Sequence, residues 1–284
     1  MKNTNANGWI DYELLDSGDG KKLERFGLYT VIRPDPRVIW KRRLSDKVWG
    51  DIQAEYTGEK WEFKSPIPLP WRIDYKKIRF ELKPTEFKHV GVFPEQAENW
   101  DWITEQITNN KSQNSNLNIL NLFAYTGGAT MAAALAGAKV THVDASRPAM
   151  MWASENAKLA GIDKDRVRWI QEDAMKFVKR EARRGMKYDG IIMDPPRFGR
   201  GASGEVWKLE DDLPKIVWAC KEIVSESPLF FLINAYTADL SHVAIKNLLT
   251  EVMGEHTESG ELGLKETGSE RVLPAGIYAR WSLA

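Results

Sequence analysis

Several features that would place a chain in another class are scarce or missing here. The 284 residues include one cysteine, Cys220, which excludes an internal disulfide and cannot by itself form a cysteine-based metal site. No apolar run approaches the roughly 20 residues that a membrane-spanning helix requires. Residues 1–20 are polar and lack the apolar core of a secretion signal. We therefore expect a cytoplasmic protein with no membrane partner.

An excess of either charge is also missing, because 40 Lys and Arg balance 40 Asp and Glu. The protein as a whole thus has no basic field that would attract nucleic acid. Residues 21–90 nevertheless contain 17 basic against 10 acidic side chains, and residues 176–200 contain 8 against 3. Such patches can bind phosphates, although most charged runs only face solvent. No metal is expected, since the histidines show no metal-ligand spacing (His89, His142, His242 and His256).

Two patterns divide the chain, and we place the domain boundary between residues 92 and 93. From Glu24 to Val92, short segments alternate apolar and polar residues between Gly and Pro, which predicts a small antiparallel β domain in residues 1–92. The segments are LYTVIR, RVIW, DIQAEY, WEFK, LPWRIDY and KIRFELK. Tryptophan is frequent in this part, which fits stacking on RNA bases, but the filling of a small β core explains most of these rings.

Residues 93–284 predict an α/β domain with a Rossmann-like sheet. A helix is expected after Pro94, with Trp100, Ile103 and Ile107 on one face. Strands and helices then alternate, which is typical of a parallel sheet. Seven strands are predicted, the last two as an antiparallel hairpin: NILNLF, KVTHVD, RVRWIQ, YDGIIMD, PLFFLIN, ELGLKET and GIYARWSL.

Residues 119–144 read as a strand, a loop of small residues, an Ala-rich helix and a second strand that ends at Asp144. The loop residues 126–129 (TGGA) have little side chain, so a ligand can approach the backbone where the helix begins. A carboxylate at the carboxyl end of the next strand can accept hydrogen bonds from both hydroxyls of a ribose. The pattern favours an adenosine cofactor, and the alternative is that the glycines only allow close helix packing.

A second carboxylate follows the third predicted strand, in Glu172-Asp173-Ala174. Asp173 can accept a hydrogen bond from an adenine amino group while the adjacent backbone reads the ring edge. Alone, Asp173 is equally suited to cap the following helix. With Asp144 one strand earlier, the cofactor role is favoured. Ser146 is interpreted as the cap of the helix that follows Asp144.

The fourth predicted strand ends in Asp194-Pro195-Pro196-Arg197-Phe198. Two prolines fix the backbone and lack N–H groups, so the carbonyls around them are held out toward the crevice. An Asp-Pro-Pro at this place resembles the substrate motif of base methyltransferases, in which an aromatic residue after the prolines can stack on a flipped-out base. A rigid turn after a buried strand is the alternative.

Taken together, these segments resemble a bacterial family. Asn121, Phe123, Tyr125 and Gly127 are similar to the first motif of S-adenosylmethionine (SAM) methyltransferases, in the variant found in RNA base methyltransferases. The set NLFAYTGG, VDAS, QEDA and DPPRF resembles the large-subunit ribosomal RNA methyltransferases, which include cytosine carbon-5 enzymes and a guanine nitrogen-7 domain. KHVGVFPEQAENW is similar to the Lys-x-x-Gly-x-Phe-x-x-Gln segment of that family. The resemblance covers about residues 24–284 and leaves no room for the PUA domain that many members carry.

The resemblance implies a class I methyltransferase fold with a seven-stranded sheet, SAM as the cofactor and RNA, ribosomal in kind, as the partner; a homodimer is left open. The residues then expected to contact the cofactor are Gln96, Asn121, Phe123, Ala124, Tyr125, Thr126, Gly127, Gly128, Asp144, Ala145, Ser146, Asp173 and Ala174. The residues expected to act on the substrate are Asp194, Pro195, Pro196, Arg197 and Phe198.

One departure from that family limits the chemistry. Methylation of cytosine at carbon 5 requires a thiolate that adds to the ring. The cytosine enzymes place a cysteine just after the fifth strand, where this chain has Tyr236 and Thr237. Cys220 lies instead in an apolar stripe at helical spacing, which predicts a buried core residue.

The remaining possibility is attack on the methyl group of SAM by a base nitrogen that already has a lone pair. The target is then a guanine ring nitrogen or an exocyclic amine, and the place of Phe198, one residue later than in the typical exocyclic-amine motif, favours the ring nitrogen. Two further alternatives stay open. The zero net charge permits a methyltransferase of a small molecule or protein, and the missing cysteine permits a SAM-binding or RNA-binding protein without turnover.

Overall fold

The computed structural model describes residues 3–5, 8–110, 117–200, 206–236 and 240–283. Contacts between residues divide the chain into two units. The sheet unit consists of residues 1–4, 99–262 and 276–284, and the N-terminal unit consists of residues 5–98 and 263–275. The domain boundary between residues 92 and 93 stays a prediction.

The elements of the described ranges follow in chain order. The strands are β1 (Asn3–Asn5), β2 (Tyr12–Gly18), β3 (Lys21–Phe26), β4 (Tyr29–Pro34), β5 (Ala54–Tyr56), β6 (Trp61–Phe63), β7 (Trp71–Tyr75), β8 (Ile78–Leu82), β9 (Asn118–Leu122), β10 (Lys139–Asp144), β11 (Val167–Gln171), β12 (Gly190–Met193), β13 (Phe198–Arg200), β14 (Val206–Lys208), β15 (Phe230–Ala235), β16 (Thr257–Lys265) and β17 (Val272–Ser282). The helices are α1 (Asp46–Gly50), α2 (Ala97–Asn110), α3 (Gly128–Leu135), α4 (Arg147–Leu159), α5 (Ala174–Arg183), α6 (Leu209–Lys221) and α7 (His242–Met253), with 3₁₀ turns at Pro94–Gln96 and Lys164–Arg166. Among the helices of these ranges, none has the length and apolar character that a bilayer crossing demands.

One large sheet organises the sheet unit, with the strand order β1-β16-β17-β15-β12-β9-β10-β11. The five strands β15, β12, β9, β10 and β11 run parallel, whereas β17 pairs antiparallel with β15. The seven predicted strands are therefore confirmed, and β1 is an eighth that the sequence did not predict. The chain leaves β9 toward β10 on one side and returns to β12 on the other. Open α/β sheets bind their ligands at such a reversal, outside the carboxyl ends of the strands.

Apolar side chains cover both faces of this sheet, because successive residues of a strand point to opposite faces. Leu120 and Leu122 of β9 join a cluster with α5, α6 and α7, to which Phe177 and Ile216 contribute. Ile119 joins the opposite cluster, with Ile103 and Ile107 of α2 and Ala133 of α3. The predicted packing of α2 on the sheet is thus confirmed.

The N-terminal unit contains a five-stranded sheet in the order β2-β3-β4-β5-β6 and the separate hairpin β7–β8. The predicted antiparallel pairing is confirmed for β2–β3, β3–β4 and β5–β6, whereas β4 and β5 pair in parallel. One expectation is corrected. The predicted strand RVIW is a loop, because Asp35 and Pro36 favour a turn; Asp35 Oδ1 accepts from the Arg37 N–H at 3.2 Å, and the Asp35 carbonyl accepts from the Val38 N–H at 3.1 Å.

Most of the tryptophans of this unit fill its core, as the sequence favours. Trp49 and Trp71 are buried. The ring of Trp9 lies 4.7 Å from that of Tyr75 and 5.9 Å from that of Tyr12, between centroids. Packing of aromatic rings therefore accounts for these three residues.

A cluster of charged side chains is buried between β2, β3 and β4. Glu24 accepts hydrogen bonds from Arg33 Nε and Nη2, both at 2.7 Å, and from the Tyr12 hydroxyl at 3.0 Å. Lys22 Nζ lies 3.4 Å from the same carboxylate. Burial alone would raise the pKa of Glu24, but Arg33 and Lys22 outweigh it and hold that pKa below its usual value.

Residues from the far end of the chain complete this unit. Glu266 is buried and accepts hydrogen bonds from the N–H and the hydroxyl of Ser17, at 3.0 and 2.5 Å. The Thr267 N–H donates to the Leu14 carbonyl at 2.8 Å. The backbone of β2 is therefore paired with a segment almost 250 residues later in the chain.

Candidate active site

The parallel strands bring most of the predicted site residues to one edge. Leu122 at the end of β9 is in register with Val143 of β10 and with Met193 of β12, and Asp144 is in register with Gln171 of β11. The segments 123–128, 144–146, 172–174 and 194–198 therefore all leave the sheet at its carboxyl edge. Gln96 belongs to the N-terminal unit, where it is buried in the first turn before α2.

Asp144 ends β10 and binds the loop after β9. Its Oδ2 accepts a hydrogen bond from the Tyr125 N–H and its Oδ1 accepts one from the Ser146 N–H, both at 2.8 Å. Burial raises the pKa of Asp144, and the two N–H groups oppose this shift. Each carboxylate oxygen can accept more than one hydrogen bond, so both retain capacity for a ligand donor.

The loop 123–127 has a strained backbone. Phe123, Tyr125 and Gly127 all have positive φ, at 55°, 48° and 88°. Left-handed geometry costs little at glycine but is uncommon for aromatic residues. A strained backbone persists only where surrounding contacts maintain it. Such conformations are frequent at active sites and ligand-binding loops.

The two adjacent glycines, Gly127 and Gly128, are required for different structural reasons. Gly127 needs its left-handed φ, whereas a Cβ on Gly128 would lie 2.5 Å from Cζ2 of Trp100 in α2. Close approach of a protein side chain thus requires Gly128, which is the packing explanation that the sequence left open. Ligand access along the rest of the loop stays a prediction.

Asn121 lies below the loop, in a buried polar chain. Its Nδ2 donates to Thr130 Oγ1 at 2.9 Å, and Thr130 Oγ1 lies 2.8 Å from His142 Nδ1. Burial lowers the pKa of His142 to about 3, so its imidazole is neutral. The structure shows Asn121 supporting α3, and a cofactor contact for it stays a prediction.

Two predicted site residues cap helices. Ser146 Oγ accepts from the Ala149 N–H at the start of α4, as predicted, and Asp173 Oδ1 accepts from the Lys176 N–H at 2.9 Å at the start of α5. The helix cap and the adenine contact considered for Asp173 are compatible, since the cap uses only Oδ1 of the carboxylate. Its adenine contact stays a prediction.

On the other side of β9, Asp194 and its prolines form a short platform. Asp194 Oδ1 accepts a hydrogen bond from Asn234 Nδ2 of β15 at 2.6 Å. The Pro196 carbonyl accepts from Trp207 Nε1, also at 2.6 Å. The next carbonyl, that of Arg197, accepts from the Leu209 N–H at 2.9 Å. These bonds hold the segment in one conformation.

Phe198 follows this platform and begins the two-stranded ribbon β13–β14. Its side chain is 53% exposed, so the ring is accessible to a partner from solvent. Arg197 is half exposed, and its Nε lies 3.7 Å from Oε1 of Glu210. Arg197 and Phe198 thus follow Asp194 by three and four residues and are both accessible from solvent.

Cys220 is fully buried in the apolar cluster of α6, as predicted. Burial raises the pKa of its thiol far above the usual range, so no thiolate forms. Of the two residues at the place of the family's cysteine, Tyr236 is half-buried and Thr237 lies outside the described residues.

Sequence reasoning missed two residues of this edge, Asn234 and Trp207. Asn234 is a polar residue near the end of an otherwise apolar buried strand, and that departure was a usable signal. Trp207 stands in the charged stretch EVWKLEDD, where nothing in the periodicity indicates a site residue.

The chain matches a family model described as S-adenosylmethionine-dependent methyltransferase over residues 52–243. A crystal structure of a SAM-dependent methyltransferase from Agrobacterium tumefaciens superposes with a TM-score of 0.94 and 41% identity, over 99% of this chain and 93% of that chain. A putative SAM-dependent methyltransferase from Streptococcus mutans shares the fold, with a TM-score of 0.70 at 18% identity over 96% of this chain and 76% of that one.

Among curated proteins, the chain is similar to a protein from Shewanella frigidimarina named ribosomal RNA large subunit methyltransferase K/L. The two are 32% identical over 226 residues, which cover 72% of this chain and 30% of that protein. The chain therefore spans less than a third of the length of this relative.

Proposed function

The chain belongs to the S-adenosylmethionine-dependent methyltransferase family, and on that basis we propose that it methylates a base nitrogen in RNA, with ribosomal RNA as the substrate. One observation carries the proposal. Asp194 follows β12 beside the loop that Asp144 holds, and the exposed ring of Phe198 follows four residues later. This edge offers an acceptor and a stacking surface next to a nucleoside site.

The cofactor side of the site has the donors and acceptors that an adenosine ligand needs. Asp144, with spare acceptor capacity on both oxygens, binds the ribose hydroxyls. Ala145 and Ser146 line the same turn, and Asp173 and Ala174 bind the adenine. The methionine end lies along the loop after β9. The residues in this role are Asn121, Phe123, Ala124, Tyr125, Thr126, Gly127 and Gly128.

The substrate side holds the base in line with the methyl group. When bound, SAM supplies an electrophilic methyl on its sulfonium. A guanine ring nitrogen needs only orientation and a desolvated approach, whereas an exocyclic amine also needs an acceptor, which Asp194 provides. Pro195 and Pro196 fix the platform, Arg197 pairs with a guanine edge or a phosphate, and Phe198 stacks on the base. The buried thiol of Cys220 supports nitrogen chemistry over cytosine carbon-5 chemistry.

The decisive experiment is mass spectrometry of modified nucleosides in ribosomal RNA from cells with and without the gene. We expect one methylated purine to disappear in the deletion strain and to return with the wild-type protein and with Cys220→Ala. Asp194→Ala should bind SAM normally but fail to restore the nucleoside. Asp165→Ala, which changes an exposed carboxylate of the same unit, is the matched control.

Unchanged ribosomal RNA in the deletion strain would contradict the proposal. Binding to RNA that does not weaken as salt rises would also oppose it, and would favour a small molecule or protein as the methyl acceptor. A cytoplasmic location follows from the proposed substrate. Gel filtration of the purified chain tests the homodimer, which stays a prediction.

A further inference from the structure

The ribbon β13–β14 follows the proline platform directly and has two distinct faces. Gly199 pairs with Trp207, and Phe198 pairs with Lys208. Directly paired residues of an antiparallel ribbon share a face, and neighbouring residues alternate. Trp207 therefore lies on the opposite face from Phe198, which agrees with their exposure, since Phe198 is exposed and Trp207 is half-buried.

On the face opposite Phe198, Trp207 contacts both sides of the proposed site. Its Nε1 donates to the Pro196 carbonyl at 2.6 Å. Its ring lies 4.9 Å from the ring of Phe123, between centroids, at an interplanar angle of 53°. Phe123 directly follows β9 and Pro196 follows β12, and these two strands are neighbours. One side chain thus connects the loop on the cofactor side with the platform on the substrate side.

We infer that Trp207 is a positioning residue for methyl transfer, an inference that rests on the function proposed above. Its indole N–H fixes the Pro196 carbonyl and with it the direction of the platform. Its ring supports Phe123 in its left-handed conformation, which the loop cannot maintain without external contacts. Transfer depends on the alignment of two bound groups, and small displacements of either one are costly.

Two substitutions separate these contributions. Trp207→Phe keeps an aromatic ring against Phe123 but removes the donor to Pro196. We expect its SAM dissociation constant to stay within about twofold of the wild type while kcat falls about tenfold, the effect of one lost hydrogen bond at the reacting geometry. Trp207→Leu removes the ring as well. We expect it to weaken SAM binding by at least about fivefold in addition, because an aromatic pair is lost.

The matched control is Trp218, an exposed tryptophan of α6 whose ring lies 5.0 Å from Lys221 Nζ. Trp218→Phe and Trp218→Leu should match the wild type in both measurements. SAM affinity is measured by calorimetry, kcat and KM by methyl transfer to RNA from a deletion strain, and folding by urea denaturation. Should Trp207→Leu fail to fold, Trp207→Met replaces it, because it keeps bulk without an aromatic ring.

Wild-type kcat in Trp207→Phe, or wild-type SAM affinity in the variant without the ring, would overturn the inference. A fall in kcat accompanied by an equal loss of folded protein would do the same, since it indicates a structural role alone. If the wild-type protein transfers no methyl group to the RNA, the proposed function fails. The calorimetry then still decides whether the ring of Trp207 supports the cofactor loop.

Discussion

Asn234 donates a hydrogen bond from Nδ2 to Oδ1 of Asp194 at 2.6 Å, across the carboxyl ends of the neighbouring strands β15 and β12. Asn234 is 1% exposed, and among the described residues its Oδ1 has no hydrogen-bond partner. A neutral donor thus orients the acidic group of the platform without adding charge to the site. A carboxylate at position 234 would instead place a second negative charge within hydrogen-bond distance of Asp194.

Replacement of this amide by a carboxylate tests the pair. In Asn234→Asp, two like charges within hydrogen-bond distance cannot both ionise freely, so the acid limb of the pH profile of kcat should move to higher pH. We expect kcat near neutral pH to fall about tenfold or more, with unchanged SAM affinity. Asn109→Asp, on the exposed side of α2, is the control. An unaltered pH profile would show that Asp194 takes no part in the rate-determining step.

Asp144 should control cofactor affinity in a pH-dependent way. Burial raises the pKa of Asp144, so its protonation begins at a higher pH than that of an ordinary aspartate, whose pKa is about 3.9. Binding requires the ionised acceptor, and SAM affinity should therefore decline as the pH falls through the raised pKa. Calorimetry across mildly acidic pH measures this decline.

Variants of Asp144 give the size of the effect. Asp144→Asn should bind SAM about tenfold more weakly near neutral pH and lose the pH dependence, and Asp144→Ala should lose about 100-fold, as expected for charge-assisted hydrogen bonds. The exposed Asp165→Asn should behave as the wild type. Equal affinity of Asp144→Ala and the wild type would remove Asp144 from the cofactor site.

Replacement of Gly128 by alanine should lower the stability of the folded protein. In Gly128→Ala the new Cβ would lie 2.5 Å from the ring of Trp100, which forces a shift of α2 or α3. We expect a loss of about 1–3 kcal/mol in the free energy of unfolding by urea, the usual cost of overpacking. Gly50→Ala is the matched control, since a Cβ there meets nothing within 4 Å. Equal stabilities of the two variants would contradict the packing described for Trp100.

The buried carboxylate of Glu24 predicts both a mutational and a pH effect. Glu24→Gln removes the carboxylate that pairs with Arg33, while Lys22 keeps Asp35 at 3.9 Å, and should cost about 3–5 kcal/mol of unfolding free energy. The exposed pair of Lys60 and Glu62, 3.9 Å apart, supplies the control Glu62→Gln, which should change stability by less than about 1 kcal/mol.

The pH effect follows from the lowered pKa of Glu24. A group whose pKa is lower in the folded protein stabilises it above the unfolded value, about 4.3, and that stability is lost as the pH falls through the folded pKa. The wild type should therefore lose stability below about pH 4 more steeply than Glu24→Gln. Parallel pH curves would show that Glu24 is not ionised in the folded protein.

The sheet and its site edge were predictable because their signals are local. Strands of the β9 or β12 type are short apolar runs, and a carboxylate at the end of β10 falls on the ligand-binding edge by topology alone. The helix caps at Ser146 and Asp173 follow from residue type and position.

What escaped prediction depends on contacts between distant residues. β2 and β3 were missed because Asp16 in β2 and Lys22 and Glu24 in β3 place charges at buried positions, which obscures the alternation of a strand. The donor from Trp207 to Pro196 and the packing of Trp100 on Gly128 are set by tertiary geometry, and no local pattern encodes either.

The pairing of Ser17 with Glu266 has a consequence for synthesis of the protein. A ribosome makes the N-terminal segment first, yet the hydroxyl and the amide of Ser17 are paired with a carboxylate that is synthesised 249 residues later. Strand β2 therefore lacks this partner while the ribosome translates residues 99–262 of the sheet unit. The N-terminal unit therefore cannot complete its folding before residues 263–275 have been synthesised, and a polypeptide that stops before residue 263 would lack the buried partner of Ser17.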